Sequence, residues 1–85
     1  MRQDCLILFR SLTYAQRAAR ALERSGITAT VRKAPAGLTD RGCTYGVRLR
    51  ERHLGDALSL LRRGGLERGR VFLIQPEGGY QEVGP

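Results

Sequence analysis

Very few side chains in this chain could carry chemistry. It holds two cysteines and one histidine, namely Cys5, Cys43 and His53. A thiol attacks as its thiolate, which forms where positive charge and free backbone N–H groups surround it. The segment "APAGLTDRGCTYGVRLRE", residues 34–51, puts Cys43 in such company. It follows Arg41 and Gly42, precedes Thr44, and closes a loop bearing Pro35 and Gly37. Gly42 leaves the backbone open to close approach by another molecule. Cys5 opens the apolar run "CLILF" and reads as a small apolar residue at a strand end. His53 reads as a surface residue near the start of a helix, away from Cys43. No metal is expected, because a zinc site wants four Cys or His ligands at set spacings. No cofactor is expected either, since the chain has no phosphate loop, Rossmann glycine fingerprint or nucleophile elbow.

These residues must be positioned by a small scaffold. Eighty-five residues suit a single domain over 1–85, with an ordered core about 5–75 and a polar C-terminal tail 76–85. Residues 5–9 have strand length. Thr13-Tyr14-Ala15-Gln16 reads as a capping box, with the Thr13 hydroxyl serving the first free N–H groups of a helix. Ala15, Ala18, Ala19 and Leu22 then fall at i, i+3, i+4 and i+7, the buried stripe of that helix. Ser25-Gly26 stops it. Ile27, Ala29 and Val31 alternate in a second strand over 27–33, and Tyr45, Val47 and Leu49 alternate in a third. Leu54, Ala57, Leu58 and Leu61 mark a second helix, which ends at Gly64-Gly65 after Arg62 and Arg63. "RVFLIQ", residues 70–75, is a fourth strand.

The order is βαββαβ. Right-handed crossovers then predict an α+β, ferredoxin-like sandwich: a four-stranded antiparallel sheet with both helices on one face. In that topology Cys5 and Cys43 open antiparallel neighbouring strands and lie at opposite ends of the sheet. Five strand residues span about 17 Å, beyond the roughly 7 Å between α-carbons that a disulfide allows. Cys43 instead shares its end with the start of the first helix, whose N-terminus carries partial positive charge. Arg10, Arg41 and, across the loop mouth, Arg62 or Arg63 add cationic field there.

With those elements in place, the chain resembles a family of small selenium/sulfur carrier-like proteins. The likeness rests on "LILFRS", "AQRAARALERSGI", "KAPAGLTDRGC" and "TYGVRLRE" in that order, over residues 5–75. The family tends to have a basic residue after the loop proline and Gly after the cysteine, where this chain has Ala36 and Thr44. The resemblance implies that Cys43 takes a sulfur or selenium atom from a donor enzyme's persulfide or selenide and yields it to an acceptor protein. Arg41, Gly42, Thr44, Arg10 and Thr13 would support the anionic sulfur.

Two other readings compete. The net charge is +7, and the basic residues are arginines apart from Lys33, which suits an anionic partner. An RNA-recognition-motif domain shares the element order, and "RGCTYGVR" matches the start of its third-strand signature. It has Cys43 and Arg48 where flanking aromatics belong, so Phe9 and Tyr45 are expected to join the core and nucleic acid is not the expected partner. The alternative is an interaction module or homodimer using the helix-free sheet face, which Arg48 and Arg50 make polar. No apolar run approaches the roughly 20 residues of a membrane span. The opening "MRQDCLILFRSL" is broken by Arg10 and does not read as a signal peptide, so the expected location is the cytoplasm.

Overall fold

The computed structural model describes residues 3–38 and 44–83. Among them are five strands and two helices: β1 (Asp4–Phe9), α1 (Leu12–Arg24), β2 (Thr30–Lys33), β3 (Tyr45–Arg50), α2 (Leu54–Arg63), β4 (Val71–Ile74) and β5 (Tyr80–Val83). A single 3₁₀ turn, Glu51–His53, leads into α2. The strands form one antiparallel sheet in the order β2-β3-β1-β4-β5. Each helix therefore crosses between strands that have one strand lying between them.

Register divides the sheet into two faces. Ile7 lies opposite Val47 on one side and Val71 on the other, and Cys5 opposite Leu49 and Leu73. These residues share the face that both helices cover. They form one core with Ala15, Ala18, Ala19 and Leu22 of α1 and Leu54, Ala57 and Leu61 of α2. Every position of the first apolar stripe read from the sequence is buried. Three alanines on that stripe let α1 approach the sheet closely, while Phe9, Ile7 and Leu22 fill the volume beneath it.

Both helices stop in the same way. The Ile27 amide donates to the Leu22 carbonyl and the Leu66 amide to the Leu61 carbonyl, at 3.0 and 2.9 Å. Gly26 and Gly65 stand at φ +86° and +70°, a left-handed conformation that lets these bonds close without steric cost from a Cβ. The apolar residue after each glycine then joins the core. "LERSGI" and "LRRGGL" are thus two versions of one stop, which returns each crossover to the sheet.

The structure corrects three expectations. The sheet has five strands, not four, because residues 80–83 of the expected polar tail pair with β4, Ile74 opposite Tyr80 and Phe72 opposite Glu82. A tight turn makes this possible, with the Gly78 amide donating to the Gln75 carbonyl and the Gln75 amide to that of Gly79. The second strand is shorter than residues 27–33, although Ile27 and Ala29 are still buried. The N-cap of α1 is Ser11, whose hydroxyl oxygen accepts from the Tyr14 amide at 3.2 Å. Thr13 is already inside the first turn and exposed. The chain turns into the helix as soon as β1 ends, so the earlier hydroxyl meets the free amides first.

Candidate functional site: a thiol-bearing loop and its anchors

Of the residues expected at the site, Arg41, Gly42 and Cys43 lie outside the described residues. The three others can be placed. Arg10 is exposed directly after β1, Thr13 lies in the first turn of α1, and Thr44 is exposed directly before β3. Thr44 and Arg10 meet: the Thr44 hydroxyl donates to the Arg10 carbonyl oxygen at 3.4 Å. Beside them Phe9 and Tyr45 face each other across β1 and β3. The residue after Cys43 in the chain is thus tied to the turn from which α1 departs. Thr13 stands one turn further on, and no hydrogen bond joins it to Thr44 among the described residues.

The same loop is held at its other end. The Ala34 amide donates to the Thr44 carbonyl at 2.9 Å, extending the β2–β3 ladder by one bond. The Leu38 amide then donates to the Pro35 carbonyl at 3.2 Å and closes a turn. Ala34 and Leu38 pack against Leu6, Leu8 and Phe72, on the face without helices. The start of the loop therefore lies over the open face of the sheet.

That face is only partly as expected. Arg48 and Arg50 do stand on it, but Leu6, Leu8 and Phe72 on the same face are buried, forming a second small core. The signal was the unbroken apolar run of β1, in which both parities are apolar, as in a strand covered on both faces. Phe9 is buried in the helix-side core and Tyr45 packs against it, as expected. The open-face positions of β1 and β3 are Asp4, Leu6, Leu8, Gly46, Arg48 and Arg50. They contain no aromatic ring on which a base could stack, so these two strands do not offer the platform of an RNA-recognition motif.

Cys5 occupies a very different place. It lies in β1 opposite Leu49, near the end of β3 remote from Thr44, and its thiol is free and fully buried. Burial pushes its pKa up to about 12, helped by the negative charges of Glu51 and Asp4. At neutral pH this sulfur is a protonated core atom. His53, half-buried before α2, is at that same remote end, where the Glu51 amide donates to the Gln3 carbonyl. Its Nε2 accepts from Arg52 Nε at 3.4 Å. Among the described residues no three of His, Cys, Asp and Glu are grouped as a metal ion would need. No helix among them is long and apolar enough to cross a membrane.

Sequence reasoning missed one constellation. The Asp4 carboxylate accepts from Arg48 Nε at 2.7 Å and from Arg50 Nη1 at 2.9 Å. It joins residues 44 and 46 positions apart, so only the strand register could reveal it.

The fold is thus a small α+β structure with one buried thiol, Cys5, and a β2–β3 loop whose described ends are tied to the sheet. The match to known families is more specific. Residues 4–72 match the family described as "Putative Se/S carrier protein-like", and the chain belongs to that family. No curated protein and no solved structure matches the chain.

Proposed function

We propose that this protein carries sulfur or selenium on Cys43, between a donor that presents a persulfide or selenopersulfide and an acceptor protein. The observation that carries the reading is the state of Cys5. A chalcogen carrier needs an ionisable, reachable thiol, and of the two cysteines in the chain Cys5 is fully buried with a pKa near 12. The family match spans position 43, and the bonds of Thr44 to Arg10 and Ala34 support a loop held at its base. Arg41, Gly42, Arg10, Thr13 and Thr44 are its supporting groups, on a ferredoxin-like scaffold working in the reducing cytoplasm.

In the loading step the Cys43 thiolate attacks the terminal sulfur of the donor's persulfide. A new S–S bond forms on Cys43, the bond between the donor's two sulfurs breaks, and the donor leaves as a thiolate. Delivery is the same exchange with the acceptor's thiolate as the attacker, so no external oxidant or reductant is consumed. Incubation with glutathione persulfide followed by peptide mass spectrometry tests this. The expected result is a gain of one sulfur atom on Cys43, retained in Cys5→Ser and abolished in Cys43→Ser. An adduct on Cys5, or one that persists in Cys43→Ser, overturns the proposal.

A further inference from the structure

The Asp4–Arg48–Arg50 constellation is part of a larger feature. Register places Thr30 of β2 opposite Arg48, and Arg32 opposite Gly46, so Thr30 and Arg32 share the open face with Arg48 and Arg50. Together with Asp4 and Thr28 they line a shallow pocket of about 320 Å³. Three arginines and a single carboxylate line it. Asp4 uses one oxygen on each of Arg48 and Arg50, and Arg32 has no hydrogen-bond or ion-pair partner among the described residues.

Asp4 also arranges its neighbours. It engages Arg48 through Nε and Arg50 through one Nη, and among the described residues the remaining donors of each guanidinium make no hydrogen bond; an arginine has five in a fixed fork. Two guanidiniums are thus held in place before any ligand arrives, which lowers the ordering cost of binding. Gly46 adds no side chain between Arg32 and the centre of the sheet, and the Thr30 hydroxyl brings a neutral donor. Arginine forks match tetrahedral oxyanions geometrically, and a pocket of about 320 Å³ has room for such a group.

We propose that this pocket binds a phosphoryl group, with Arg32 and Arg48 as its principal ligands, Thr30 as an added donor and Asp4 as the residue that positions Arg48 and Arg50. The proposal does not rest on the role of Cys43. The phosphoryl group has two sources of the same chemistry, free phosphate and the backbone of a single-stranded nucleic acid.

The test is an amide NMR titration of the full chain with inorganic phosphate, at ionic strength held constant with chloride. A second titration uses a short oligothymidylate. Saturable shifts are expected at Thr28, Thr30, Arg32, Arg48 and Arg50. Arg32→Ala, which removes a side chain with no described partner, is expected to weaken binding about tenfold, the scale of one charged hydrogen-bonding group. Its remaining amide spectrum should stay native. Arg32→Lys should recover only part of the loss, because the fork is gone. Arg62→Ala, at the end of α2, should change nothing. Phosphate saturation without oligonucleotide competition assigns the site to free phosphate, and tighter oligonucleotide binding through the same residues assigns it to nucleic acid. Shifts that do not saturate, that spread evenly over the arginines, or that survive Arg32→Ala overturn the site.

Discussion

The two faces of β1 are built from neighbouring residues yet behave as different materials. On the helix side Cys5, Ile7 and Phe9 disappear under α1 and α2, and even a potentially reactive thiol becomes a core atom. On the other side Asp4, Leu6 and Leu8 run from an ion-paired carboxylate to an apolar patch beneath the start of the cysteine loop. The second face combines charge, a pocket and the start of the cysteine loop. The two helices cover the larger core, and the face they leave open carries the ion-paired arginines.

The largest expected effect on this contrast concerns Cys5 itself. A pKa raised from 9.0 to about 12 cuts the thiolate fraction at neutral pH by on the order of a thousandfold. Alkylation of Cys5 in the native chain should be slower than in the urea-unfolded chain by at least that factor, and comparable rates would break the contrast. The pH dependence follows. The folded state holds this proton more tightly than the unfolded one, so the contribution to stability is complete below about pH 9 and is lost as pH climbs towards 12. Urea melts at increasing alkaline pH should show that decline, and Cys5→Ala should lack it.

Packing comes next. Phe9→Ala removes the largest fully buried side chain and is expected to cost about 3–5 kcal/mol, enough to threaten folding of so small a domain. Chemical denaturation would read it, and a loss below 1 kcal/mol would mean that the helix-side core is not where the stability lies. Gly46→Ala probes the open face. A Cβ there would stand 2.8 Å from Leu6 Cδ1 and 3.2 Å from the Ile7 carbonyl oxygen, and Leu6 is itself buried. Overpacking of this kind costs about 1–3 kcal/mol, and a neutral result would show that the second small core is loosely packed. The smallest effect sits between the faces, where β1 turns into α1. Ser11→Ala should cost about 1 kcal/mol through the lost cap, while Thr13→Ala should stay within about 0.5 kcal/mol.

That last pair also shows where sequence reading reaches its limit. The alanine stripe of α1 and the Leu54/Ala57/Leu58/Leu61 stripe of α2 were legible because helical periodicity reflects burial directly; all are buried except Leu58, which is half-buried against the same core. The cap was misread because Thr13 with Gln16 fits a pattern, whereas the site of capping depends on where the preceding strand lets go of the chain. β5 was illegible for a different reason: all four of its residues are exposed, so no hydrophobic alternation marks it. Its pairing comes instead from the Gln75–Gly79 turn, the Arg70–Glu82 ion pair and the edge contact of Phe72 with Tyr80. The Arg48–Asp4 bond spans 44 positions and emerges only once the strands are in register. For the candidate site, the sequence singled out Cys43 by its neighbours along the chain. The hold of Thr44 on Arg10 and the packing of Leu38 over the open face needed coordinates.

The family match stops at residue 72, inside β4, so the closing hairpin falls beyond it. With β5 in place, β4 is no longer an outer strand, and the free rims of the sheet are β2 and β5, four residues each. Rims this short give an incoming strand few ladder positions to grip. Among the described residues, lengthening of this sheet by an added strand would thus have only a four-residue rim to build on at either side.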